Sequence, residues 1–538
     1  MTLRINFTLL SLIIFLSFFS ISGCSKKSNQ AQPIRGEILA IMNQPKYEGA
    51  VWSLRVIDLD TGELIYNLDP DRVLITGSLR KSFSSGVALN TIGSDERFRT
   101  PVYRQGEVGE QGVLNGDLIL VADGDLTFGG RVTPQNTIQF TDFDHVDANV
   151  LGGAVLTPQD PLTGLNDLAQ QIADRGIKEI KGDVVIDARL FDEFVVPNDK
   201  RLISPIIVNE NLIDVTIIPT EAGESATVDW RPKSAAFDIE VDVMTVEENG
   251  KYVIELSEPD AACFESESCI GTISGQIPKG YKPDITGLNT VVQTFKIESP
   301  SAYTRTAFIE ALESAGVVVN SEPVGPNPAQ KLPAMDSYTP DTLLAEYVSP
   351  RFSEMIKLVL KVSHNYGANL SLILFGLAKG VRTVQDSLQQ ESMTLIDEFD
   401  VPADGFNFPT NGSGSPDSEA SPRAVTTLLE SMNSTVVFEP YFESFPILGV
   451  DGSLKFVDPG SVATGRVRGK TGTSVGEGPD PETLILRAKS LGGYIDSISD
   501  RRLVFAVFVN NVPIKAVADV QAVNSDLAKI ATAIYELN

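Results

Sequence analysis

Apolar and polar residues alternate from Val51 to Asp58, Asp60-Thr-Gly62 supplies a turn, and alternation resumes from Glu63 to Leu68. A period of two on either side of a glycine turn predicts a β-hairpin. From Ser78 to Asn90 the spacing becomes helical, although Gly86 and several serines dilute the apolar face. Between about residues 100 and 300 the chain breaks into short β-rich runs, such as Asp117 to Val121, Asp183 to Asp187 and Asp214 to Ile218. Gly, Pro and Asp turns separate them. Helical spacing returns at Thr304 to Ala315 and persists from Leu343 to about Ala378, broken at Pro350. Ser363 falls between the helical runs Phe352 to Lys361 and Ala368 to Leu377. The chain ends as a strand (Ser490 to Asp496), a turn, a strand (Arg502 to Asn510) and an amphipathic helix from Val517 to Leu537. No internal repeat or low-complexity tract interrupts this order.

The N-terminus reads differently. Arg4 precedes a short apolar stretch from Leu9 to Ile21, and small residues lead to Cys24. This describes a secretory signal rather than a membrane span, which needs roughly 20 apolar residues. Ile21-Ser-Gly-Cys24 resembles a bacterial lipobox, implying cleavage before Cys24 and lipidation of its thiol; an ordinary signal with an incidental cysteine is the second reading. On the first, residues 1–23 are the signal and 24–37 a lipidated polar tether. Ser25 after the cysteine favours the outer membrane, if the organism has one, by resemblance to common sorting rules. An exported location favours a disulfide between the remaining cysteines, Cys263 and Cys269. With His145 and His364 as the only histidines, a zinc site is not expected, whereas an all-oxygen calcium or magnesium site stays open. No cofactor is expected. The net charge of −28 argues against nucleic acid, whose phosphates such a surface repels.

Three motifs carry the chemistry: Ser78-Leu-Arg-Lys81, Ser363-His-Asn365 and Lys470-Thr-Gly472. In order they read S-x-x-K, S-x-N and K-T-G, the set found in serine acyltransferases that attack D-alanyl peptides and β-lactams. Each alone has a bland reading as a helix start, a cap or a turn; their joint order behind an export signal reverses the odds. Ser78 and Lys81 lie one helical turn apart. A serine needs a base within reach, and a lysine serves once neighbouring charge and desolvation lower its pKa. A competing motif, Gly472-Thr-Ser474-Val-Gly476, fits the nucleophile elbow of α/β-hydrolases. That elbow requires a helix directly after the serine and a downstream histidine; Glu477-Gly-Pro-Asp-Pro481 follows instead, and neither histidine lies C-terminal to Ser474.

On these motifs the chain resembles the S13 peptidases, the D-alanyl-D-alanine carboxypeptidase/endopeptidase family of penicillin-binding proteins. Further segments share the resemblance: Asn115 to Asp125, Lys181 to Asp187, Val208 to Asp214, Asn411-Gly-Ser-Gly414 with Ser421-Pro-Arg423, and Lys489-Ser-Leu-Gly-Gly-Tyr494. It implies an α+β fold: a penicillin-binding-protein/β-lactamase-like catalytic domain, an antiparallel sheet flanked by helices, interrupted by a β-rich insertion of one or two smaller domains. The catalytic domain is then expected to comprise residues 38–100 and 301–538, with the inserted domains at 101–300.

The resemblance also assigns roles. Ser78 is the nucleophile, Lys81 its base, Ser363 a proton relay, Asn365 a partner of Lys81 or the substrate amide, and Lys470 a cation beside the nucleophile. The backbone amides of Ser78 and Thr473 form the oxyanion hole, with Thr471, Gly472 and Thr473 lining the substrate. The substrates are peptidoglycan stem peptides, β-lactams are acylating inhibitors, and many members also cut D-alanyl cross-links. Two departures stand out. Ile75-Thr-Gly77 replaces a Pro-Ala type of lead-in, and Arg80 sits between nucleophile and base, where position i+2 turns it away. A non-catalytic envelope scaffold and a β-lactamase are the alternatives; a class A β-lactamase is much shorter.

Overall fold

The computed structural model describes residues 31–197, 200–265, 268–478 and 483–538. The segment expected to be the signal, Cys24 expected to be lipidated, and the expected tether as far as residue 30 lie outside the described residues. In chain order, the elements that position the site begin with β1 (Val51–Asp58), β2 (Leu64–Leu68), α1 (Lys81–Ile92), β3 (Arg99–Val108), β4 (Val113–Val121) and β5 (Val184–Asp187). They continue with α2 (Pro300–Ser314), β6 (Leu343–Val348), α3 (Phe352–Lys361) and α4 (Asn365–Ala378). The last are β7 (Val467–Glu477), β8 (Leu484–Asp496), β9 (Arg502–Ile514) and α5 (Val517–Leu537).

The order β2-β1-β9-β8-β7 forms one antiparallel sheet, so the first hairpin closes onto the last strands of the chain. Strand β9 shows why. Successive side chains of a strand point to opposite faces. Val504, Ala506 and Phe508 enter a core shared with α1, α3 and α4, while Leu503, Phe505, Val507 and Val509 enter a second core closed by α5. Both faces are covered, hence an unbroken apolar run rather than an alternation. Burying each of these valine, leucine and phenylalanine side chains is worth about 1.5–3 kcal/mol, which makes β9 the anchor of the sheet. Strand β7, which carries Lys470, is left at the edge.

Between the halves, a second sheet joins β3, β4, β5 and β6 with the short strands Glu179–Ile180 and Val318–Val319. The helical reading of Leu343 to Val348 is corrected here. This segment is strand β6, paired antiparallel with β3 from Arg99 to Tyr103. Leu, Ala and Glu favour a helix locally, but the open edge of β3 takes the segment as a strand. Two three-stranded sheets follow within 212–296, and Cys263 and Cys269 are disulfide-bonded there, with Cα atoms 5.1 Å apart. Among the described residues no helix is long and apolar enough to cross a membrane.

Candidate active site

Gly77 adopts φ +52° in a 3-10 turn, Gly77–Arg80, that runs into α1. A β-carbon there would lie 2.5 Å from the backbone nitrogen of Thr473, so only glycine fits. The turn presents Ser78 half-buried and places Lys81 at the start of the helix. The Lys81 side-chain nitrogen lies 2.7 Å from Ser78 Oγ and donates to Asn365 Oδ1 at 2.7 Å and to the Ser413 carbonyl at 2.9 Å. Ser82 and Ser84 tie α1 to the wall around it. Ser84 donates to the Gly412 carbonyl at 2.8 Å, and the Ser82 carbonyl accepts from the Tyr441 hydroxyl at 2.8 Å. Arg80 does point away from Ser78. It is fully buried, forms a two-pronged ion pair with Glu391, and stacks 3.9 Å from the Phe408 ring centre.

Ser363, in the break between α3 and α4, has φ +62°, a left-handed conformation that costs a non-glycine residue about 1–3 kcal/mol. His364 fixes the following turn, its Nδ1 accepting the Gly367 amide at 2.9 Å to cap α4. The Lys470 ammonium donates to Ser363 Oγ at 2.9 Å and to the Thr471 carbonyl at 2.8 Å. Burial holds Lys470 well below the usual lysine pKa, and the charges of Lys81 and Lys489 push the same way.

Gly472 lets β7 approach the Ser78 turn. A β-carbon there would lie 2.0 Å from the Thr76 carbonyl oxygen and 3.0 Å from the Leu79 nitrogen. The approach seats the Thr473 backbone beside Gly77 and Ser78. Thr471 Oγ1 stands 3.2 Å from Ser453 Oγ. Ser474 lies inside β7, and no helix follows it directly, so the elbow geometry is absent. All three motifs therefore meet in one cleft.

Three residues of the cleft escaped the sequence reading. Ser413 supplies a carbonyl to Lys81; its Asn411-Gly-Ser-Gly414 loop is legible, its role is not. Asp147, from the chain between β4 and β5, acts electrostatically on Lys470. Lys489 donates to Thr473 Oγ1 at 2.7 Å. For Asp147 and Lys489 no spacing signal exists, because sheet pairing and long-range packing bring them in.

An antiparallel sheet flanked by helices, with two serine–lysine pairs converging at its edge strand, defines a serine acyltransferase of the penicillin-binding-protein/β-lactamase-like fold. The chain belongs to the D-Ala-D-Ala carboxypeptidase 3 (S13) family, whose model matches residues 34–534. It is 25% identical over 505 residues to the D-alanyl-D-alanine carboxypeptidase of Actinomadura sp. (strain R39), covering 89% of this chain and 81% of that protein. Penicillin binding protein 4 from Haemophilus influenzae shares the fold at 16% identity with a TM-score of 0.63, over 93% of this chain and 98% of that one. Its complex with a novel β-lactam gives 17% identity and a TM-score of 0.64, over 93% and 99% of the two chains.

Proposed function

We propose that Ser78 is the acylated nucleophile of a serine D,D-peptidase that acts on peptidoglycan stem peptides. Family membership carries the reaction class, a serine-type hydrolase. The observation that carries the assignment to these residues is the 2.7 Å contact of Lys81 Nζ with Ser78 Oγ, beside the 2.9 Å contact of Lys470 Nζ with Ser363 Oγ.

Ser78 Oγ attacks the penultimate D-alanine carbonyl and passes its proton to a neutral Lys81 amine. The backbone amides of Ser78 and Thr473 receive the developing oxyanion. The C–N bond breaks as the proton that Lys81 took from Ser78 is passed to the leaving nitrogen through Ser363, which Lys470 orients, and Lys81 is neutral again. Water then adds to the ester, the acyl group leaves as a carboxylic acid, and Ser78 recovers its proton. Cleavage of a D-alanyl cross-link is the same chemistry on a larger leaving amine. A β-lactam enters by the same attack, its ring nitrogen taking the leaving-group proton.

The domain division belongs to this reading. Because β6 pairs with β3, the insertion is best taken as 99–348, which extends the 101–300 expected from texture. Export and a lipid anchor at Cys24 rest on the lipobox-like Ile21-Ser-Gly-Cys24. The test is incubation of the soluble form and Ser78→Ala with a labelled penicillin, followed by peptide mapping. An adduct on Ser78 that the variant lacks is expected. No adduct on a folded protein would move the weight to a scaffold, and one on Ser474 would mean a different nucleophile.

A further inference from the structure

Thr473 has a partner that the three motifs do not supply. Strand β8 sets Lys489 directly opposite Thr473, and the Lys489 amine donates to Thr473 Oγ1 at 2.7 Å. Lys489 is 4% exposed, and burial alone acts on it, lowering its pKa to about 7. A lysine that only braced two strands would run its stem along them and leave the ammonium in water. Here the ammonium is taken out of water and aimed at a threonine whose backbone abuts the nucleophile turn. Thr473 itself is half-buried. Lys489 also adds to the positive potential that Lys81 exerts on Lys470. Three buried amines thus converge on one end of the cleft. A desolvated cation with no carboxylate partner among the described residues gains most from an anion that arrives with a ligand.

Resting on the reading of Ser78 as the acylated residue, we propose that Lys489 is a specificity-determining positioning residue. Acting through the Thr473 hydroxyl, it makes the cleft select acyl donors that carry a carboxylate next to the scissile amide over otherwise identical neutral ones. A C-terminal D-alanine and a penicillin both present such a carboxylate. The lysine adds charge and fixes the donor direction of the Thr473 hydroxyl, whose proton is left free to point at the anion because its oxygen already accepts from the amine.

The test compares benzylpenicillin with its neutral methyl ester, following adduct formation at Ser78 by intact mass and peptide mapping in the unaltered protein, Lys489→Met and Lys489→Arg. Lys489→Met should slow acylation by benzylpenicillin about 10-fold or more, the range for loss of a hydrogen bond involving a charged group, while the ester slows less than about 3-fold. Lys489→Arg should restore most of the preference for the acid. Equal slowing of both probes, or of neither, would overturn the inference and leave Lys489 a structural brace. If Lys489→Met has no cooperative melt, Lys489→Gln carries the same comparison, since it keeps a donor and loses the charge. The absence of any Ser78 adduct in the unaltered protein would instead overturn the active-site reading itself, an outcome distinct from equal slowing.

Discussion

Two buried charged regions lie close together in this protein and are built on opposite terms. In the cleft, Lys470 and Lys489 are out of water with hydroxyl and carbonyl oxygens as their hydrogen-bond partners, and burial holds both pKa values down. Against the Ser363 loop lies a cluster in which charge is matched. Arg131 binds Asp144 through two contacts at 2.7 and 2.8 Å and Glu210 at 2.6 Å. His145 bridges Glu210 at 2.8 Å and Asp214 at 2.5 Å, and Arg231 adds a contact to Asp214 at 3.1 Å. Three carboxylates thus face two guanidinium groups and one imidazolium. Glu210 is held there in a run of left-handed residues, Asn209 to Asn211, and Asn211 donates to the Tyr366 hydroxyl of α4 at 3.0 Å. Arg131, Asp144 and Glu210 also act electrostatically on His364.

The difference is one of purpose. A matched cluster leaves no amine free to lose a proton, so it fixes one chain segment against another. Buried lysines bonded only to hydroxyl and carbonyl oxygens are costly to the fold; their lowered pKa readies an amine for proton transfer, and an anion arriving beside such an amine offsets the cost of its charge.

The largest effect expected is on chemistry. Lys470→Met should lower the acylation rate by about 10²–10⁴, the usual contribution of a proton-transfer partner. It should leave the melting temperature unchanged or raised, because a desolvated charge is gone. A lower melting temperature would put Lys470 in the same class as the matched cluster.

Next comes stability. Glu210→Gln removes the charge shared by Arg131 and His145, leaving two carboxylates against three cations, and should cost about 3 kcal/mol, read from urea denaturation. A loss below about 1 kcal/mol would show that the cluster is not the brace described here.

The smallest effect is a pH dependence with two opposite signs. Burial pushes the His145 imidazolium down, but Asp214 and Glu210 outweigh it, and the folded pKa stands at about 9 against an ordinary 6.5. Its contribution to stability is therefore full below pH 6.5 and is lost as pH rises through about 9. Burial lowers His364 from 6.5 to about 3. Its neutral form is favoured in the fold, so its contribution is present above pH 6.5 and is lost as pH falls toward 3. His145→Gln should flatten the alkaline limb of a stability–pH profile, and His364→Gln the acid limb. A profile in which both variants alter the same limb would break the assignment.

Arg80 shows the limits of reading by position. Its offset from Ser78 is enough to turn it from the nucleophile, since side chains two apart on a helix face different ways. Its pairing with Glu391, 311 residues away in sequence, is not visible in the spacing, and the pair explains why a bulky cation is tolerated in the turn that carries Ser78. Lys489 is the converse case. Its segment is legible as a family resemblance, but nothing in Lys489-Ser-Leu-Gly-Gly-Tyr494 says that the lysine faces Thr473, because strand register is set by β7 and the long hairpin between them.

The sequence by itself determined the first hairpin, the helical character after Ser78, the final strands with their closing helix, and the three motifs. Each is encoded within a few residues by periodicity, turn chemistry or fixed spacing. Tertiary structure alone decided that Leu343–Val348 is a strand and that the sheet order is β2-β1-β9-β8-β7. It also decided that Ser413, Asp147 and Lys489 join the cleft and that the Arg131–Glu210 cluster lies against the Ser363 loop. The physical reason is common to these. Pairing partners, burial and the resulting pKa shifts depend on which distant segments remove a residue from water, and local spacing does not encode that.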